Sequence, residues 1–140
     1  MSLTRIRNVL AFLVAFDVTL TLWAGAFPDL WFRVFHGVPY EDAEGFLRRC
    51  AANWAAFALF QAIALVRWRR EAVWLAVVAG VRLSDIFTDV TYVLVARDTT
   101  WFAKATLAPS SVGNLIVGLY LLRAYRWYVR EGGEGVVRKV

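Results

Sequence analysis

Four ionisable side chains lie deep inside long apolar runs. Asp17 falls within NVLAFLVAFDVTLTLWAGAF, and Arg82, Asp85 and Asp89 fall within a run from about 72 to 96. In hydrocarbon such a group costs at least ~2.5–3.5 kcal/mol on insertion scales, so each needs a partner or a purpose. Val78, Arg82, Asp85, Asp89, Tyr92 and Ala96 follow steps of three and four. At ~100° per residue they share one helical face. Val77, Leu83, Ile86, Phe87, Val90 and Val93 take the other faces and suit lipid or apolar packing, so the polar stripe is expected to point inward.

Other polar residues repeat the pattern. Ser110, Asn114 and Gly118 recur every four residues, a small polar row suited to close helix approach. Asp17, Asp85 and Asn114 each fall about halfway along their runs, Gln61 lies near the level of Arg82, and Asn53 lies toward Asp89. The candidate ligand-binding set is Asp17, Gln61, Arg82, Asp85, Asp89, Tyr92 and Asn114. Three carboxylates against one guanidinium leave this interior formally at −2. Arg82 is expected to bridge Asp85 on its own helix and Asp17 across the bundle. Asp89 is then left to a proton, to water in an open cavity, or to a cation.

Several uses fit such a cluster. It can join helices by hydrogen bonds worth ~0.6 kcal/mol each. It can form a polar pocket with apolar walls that holds a lipophilic small molecule (a quinone, a lipid, a sterol-like molecule or an amine) without catalysis, and this is the leading reading. An accessory subunit of a larger membrane complex is the competing class. A lipid-modifying, isomerase-like enzyme using the carboxylates as acid and base is the third. A proton or cation pathway lacks the broken helices and inverted repeat that transporters use.

No cofactor, metal or catalytic residue is expected. His36 is the only histidine and Cys50 the only cysteine, which leaves haem and zinc without a ligand set. Cys50 reads as a small buried residue. No G-x-S-x-G, phosphate-binding loop or H-E-x-x-H occurs.

The elements that must carry these residues follow from composition. Of 140 residues, 60% are hydrophobic and 19% charged, and mean hydropathy is +0.53. Soluble domains run nearer ~45–50% and ~25%, so this composition points to a membrane protein. It excludes a disordered chain, and a lone cysteine excludes an internal disulfide framework. Four stretches reach the ~20 residues that cross a ~30 Å core, at about 8–27, 46–66, 72–96 and 102–122. They are too long and continuous for barrel strands. Short connections make neighbours antiparallel, so the expected fold is a single all-α, integral-membrane, up-and-down four-helix bundle.

A cytoplasmic N-terminus puts Arg5, Arg7, Arg67, Arg69, Arg70, Arg123, Arg126, Arg130, Arg138 and Lys139 inside. Only Arg33, Arg48, Arg49, Arg97 and Lys104 then lie outside, which satisfies the positive-inside rule. The expected location is a bacterial-type inner membrane with both termini cytoplasmic. The net charge of +5 belongs to span ends facing headgroups, and no nucleic-acid partner is expected. Partners are the lipid bilayer, a lipophilic molecule, and a membrane protein or a second copy of the chain. Trp23, Trp31, Trp68, Trp101 and Trp127 are expected to sit at the two interfaces. Arg5, Arg7 and the later Ala24-Gly25-Ala26 resemble a signal peptide, but Asp17 interrupts the apolar run.

Between spans, residues 28–35 read as a short helix lying in the membrane surface, ended by Gly37 and Pro39 and serving as an anchor rather than a lid. Residues 40–44 form an acidic lead into the second span, 67–71 a basic turn, and 97–105 a polar loop. Pro109 falls just inside the fourth span, where a missing N–H costs least. Residues 131–140 read as a flexible tail.

Arg48-Arg49 through Asn53-Trp54-Ala55-Ala56-Phe57, together with Arg82-Leu83-Ser84-Asp85, give the chain a layout that resembles small bacterial four-helix membrane proteins of the DoxX-like and related uncharacterised kinds. The resemblance implies four spans. The chain is also similar to four-span isomerases of the sterol-binding kind in span count and intramembrane carboxylates. The catalytic histidine of that group has no counterpart here.

Overall fold

The computed structural model describes residues 1–132, and the chain there is all-α. Five helices follow one another: α1 (Leu3–Ala26), α2 (Pro28–Phe35), α3 (Phe46–Arg67), α4 (Val73–Val95) and α5 (Trp101–Trp127). A π-helical turn at Tyr128–Gly132 closes the described chain. The expected tail falls, beyond residue 132, outside the described residues.

Local chemistry sets the boundaries. A residue before proline is pushed out of the helical region, and Phe27, at φ −127° and ψ 55°, ends α1. Pro28 then opens α2, where its missing N–H would have had no partner. Gly37, at φ +69°, ends α2, and its N–H donates to the Phe32 and Arg33 carbonyls at 3.0 and 3.2 Å. The Asp42 carboxylate accepts from the Phe46 and Leu47 amides at 2.8 and 2.9 Å and so starts α3. At α5 the Thr100 hydroxyl accepts from the Ala103 amide at 3.2 Å.

The main pairings are α1 with α3 and α4 with α5, and α3 against α4 joins the two pairs. The α4–α5 approach is close. A Cβ on Gly118 would stand 2.8 Å from Leu83 Cγ, so this position needs glycine. Two apolar clusters result. Near the termini, Ile6, Leu10, Ala64, Trp68, Leu75 and Leu121 pack with their neighbours. At the other end Ala24, Trp31, Phe35, Ala51 and Ala103 pack under α2.

Three stretches are long and apolar enough to cross a membrane: Leu3–Ala26, Phe46–Arg67 and Trp101–Arg130. The ionisable Arg82, Asp85 and Asp89 set α4 apart from them, although it has 23 residues. Outward faces are apolar on every long helix, with Phe12, Val66, Phe87 and Ile116 all exposed. Such a surface is suited to lipid contact.

Several expectations need correction. Helices α1 and α5 outrun their apolar cores, because charged residues near the bilayer edge continue a helix whose backbone bonds are internal. Pro109 therefore lies in the interior of α5, not in its first turn, and removes the amide that would serve the Ala105 carbonyl. Trp31 and Trp68 are buried core residues rather than interface anchors, whereas Trp101 is 78% exposed. Cys50 is exposed, and so is Asn53, which turns away from the polar row.

Candidate functional site

The polar residues of four helices meet between the two apolar clusters. Asp17, halfway along α1, is fully buried together with Gln61 of α3 and Arg82 of α4. The Arg82 Nη2 group donates to Asp17 Oδ2, and Gln61 Nε2 donates to the same oxygen at 2.7 Å. This is a charge-assisted bond in a medium that cannot screen it. Among the described residues, three atoms around the contact have no partner: Asp17 Oδ1, Gln61 Oε1 and Arg82 Nε.

From Arg82 the row continues. Its Nη1 lies 3.5 Å from Asp85 Oδ2 and 3.5 Å from Asn114 Oδ1. Asn114 Nδ2 donates to Asp89 Oδ2 at 3.1 Å, and the Ser110 hydroxyl donates to that same oxygen. Gln61, Asp17, Arg82, Asp85, Asn114 and Asp89 thus form one connected row, from a sealed end at Gln61 to a half-buried end at Asp89. Arg82 reaches both Asp17 and Asp85, with the Asp17 contact much the closer.

Tyr92 is placed differently. Its hydroxyl meets His36 Nε2 at 3.0 Å, and His36 Nδ1 meets the Asp98 carbonyl at 2.9 Å. A carbonyl only accepts, so Nδ1–H is the donor there, and Nε2 is left for the Tyr92 hydroxyl. The contact ties the end of α2 to α4. Thr100 adds a second tie: its N–H donates to the Phe35 carbonyl at 2.9 Å and its hydroxyl to the Val34 carbonyl at 2.7 Å.

Beneath these ties is a cavity of about 440 Å³. Its apolar lining is largely aromatic: Trp31, Phe32 and Phe35 from α2, Phe46 and Trp54 from α3, and Tyr92 from α4. Trp31 holds this wall together, stacked on Phe35 at 4.4 Å and tilted against Trp54 at 5.3 Å between ring centres. Asp89 also lines the cavity, as do Glu41, Asp42 and Glu44 of the loop before α3. The cavity therefore meets the polar row at Asp89.

Asp42 is a structural member of that loop. Partial burial works against its charge, but the amides of Leu47, Phe46 and Gly45 and the Tyr40 hydroxyl outweigh this and hold its carboxyl below the usual range. Tyr40 moves up, through loss of water and then through its bond to the Asp42 carboxylate at 3.2 Å.

The sequence suggests all seven candidates as one set. The structure joins six of them in one row and places Tyr92 on His36, a residue the sequence reads only as part of the loop. Thr100 is not among the candidates. The available signal for Thr100 was a threonine followed by an apolar run, a helix start that Lys104 and Thr106 disguised. Among the described residues no group of three His, Cys, Asp or Glu side chains is placed to hold a metal ion. Compared with known proteins, the chain matches no family model, no curated protein and no solved structure.

Proposed function

We propose that this chain is a four-span integral membrane protein, α4 included, that holds a lipophilic small molecule in the cavity under α2. The observation that carries the reading is the contact between an aromatic cavity of about 440 Å³ and the end of a buried polar row at Asp89. Small-molecule sites have this make-up: ~300–1,000 Å³, mostly apolar walls and a few convergent polar groups. That α4 also spans is supported by its length and by its partners. Arg82 and Asp17 neutralise each other within the protein, so α4 does not present those charges to lipid. The positive-inside rule puts the termini in the cytoplasm and α2, with the cavity, on the opposite side of a bacterial-type inner membrane.

Native mass spectrometry from mild detergent tests the reading. The expected spectrum carries a bound small molecule that is lost when Leu107→Trp fills the cavity. Wild-type protein that stays empty and takes up no added lipophile would overturn it. A competing role, as an accessory subunit of a larger complex, draws on the outward face of α4, where Phe87 and Leu94 are each 78% exposed. The same spectra would then show a second polypeptide.

A further inference from the structure

Every charged side chain lining the cavity, among the described residues, is a carboxylate: Asp89, Glu41, Asp42 and Glu44. Among the described residues no lysine or arginine lines it. Three nearby arginines have contacts of their own. Arg82 is taken by Asp17, and Arg48 and Arg49 lie over the Tyr40 and Phe46 rings at 5.9 and 6.0 Å. Asp42 is itself occupied in starting α3. At Asp89 both protein donors go to Oδ2, and among the described residues Oδ1 receives none. The walls add a second attraction. Ring faces such as those of Trp31, Trp54 and Tyr92 draw a cation within ~6 Å of their centres, and more strongly where water is excluded. A lining whose charged groups are all carboxylates and whose walls are largely aromatic repels an anion. It is complementary to an organic cation.

Resting on the small-molecule reading above, we infer that the cavity's ligand is a lipophilic ammonium, its charged nitrogen at Asp89 and its apolar part against the rings. A free amine and the ammonium of a lipid headgroup share this chemistry. The test separates them from each other and from uncharged ligands.

Purified full-length protein in dodecyl maltoside is titrated with 4-phenylbutyltrimethylammonium, with 4-phenylbutanol and with 4-phenylbutyrate, following tryptophan fluorescence. The ammonium is expected to bind saturably and at least about tenfold more tightly than the alcohol, with the carboxylate weakest. Asp89→Asn should weaken the ammonium about tenfold and leave the alcohol unchanged. Glu44→Gln, at an exposed position that the fold does not need, should weaken the ammonium by a smaller factor. Repeating the titration in phosphatidylcholine and in phosphatidylglycerol nanodiscs distinguishes the sources: a headgroup ligand competes only in phosphatidylcholine, a free amine in neither. Equal binding of alcohol and ammonium, or no response to Asp89→Asn, overturns the cationic assignment and leaves the small-molecule site standing. No saturable binding of any probe overturns both.

Discussion

The two ends of this helical assembly are built from different materials. Toward the termini, Ile6, Leu10, Leu75, Val78 and Leu121 are fully buried aliphatic side chains on three long helices, and Ala64 of the fourth packs with them. Branched aliphatic groups interdigitate and fill space to near crystal density. Toward α2 the contacts are between flat rings, Trp23, Trp31, Phe35 and Trp54, at edge-on, tilted and stacked angles. There the roof is a helix of only eight residues, tied down by His36 and Thr100. Four long helices can close on one another without help. One short helix laid across their ends cannot fill the space beneath it, and the cavity is what remains. The polar row lies between, its sealed end toward the filled half and Asp89 toward the hollow one.

The largest expected effect is at the boundary. Arg82→Leu leaves Asp17 buried and charged with only Gln61 for company, which costs about 3–5 kcal/mol for a buried pair deprived of one partner. Asp17→Leu with Arg82→Leu removes both charges and should recover most of that loss. Unfolding by SDS titration in mixed micelles measures both. If the double variant is as unstable as the single, the pair is not what joins the halves.

How far the sequence displays this division depends on the range of the contacts involved. The inward stripe of α4 was legible because a period of three and four residues is local, and so was α2, bounded by Pro28 and Gly37. The cavity was not, because it depends on Tyr92 meeting His36 across 56 residues and on His36 meeting Asp98 across 62. Nothing near His36 marks it as a tie. Tryptophans were misread for a related reason: an amphipathic ring suits an interface or a core equally well, and only the fold assigns Trp68 to the core and Trp101 to the surface.

A second test compares the halves directly. Leu75 is fully buried in the filled half, and Leu75→Ala opens a void that its neighbours cannot close, at a cost of about 3 kcal/mol. Leu107 lines the existing cavity, so Leu107→Ala enlarges a space already present and should cost about 1 kcal/mol. The same SDS titration reads both. Equal losses would mean that the loop-side half is packed as tightly as the other.

The smallest effect is one of pH, and it should be confined to the roof. Asp42 starts α3 as a carboxylate, and its bonds hold its carboxyl below the ordinary value of 3.8. A group whose folded value is depressed contributes stability that is fully present above the unfolded value. That contribution is lost as pH falls through the folded one. The start of α3 is therefore expected to hold through neutral and mildly acid conditions and to loosen only below about pH 3.8. Phe46, the first residue so freed, lines the cavity, and Trp31 and Trp54 stand in the same wall. Their near-ultraviolet circular dichroism should change in that range while far-ultraviolet helix content holds. Asp42→Asn keeps a capping oxygen without the titrating charge, so its aromatic signal should lack that change. An unaltered acid transition in Asp42→Asn would show that Asp42 is not its source. The roof would then owe its acid response to something other than the residue that starts α3.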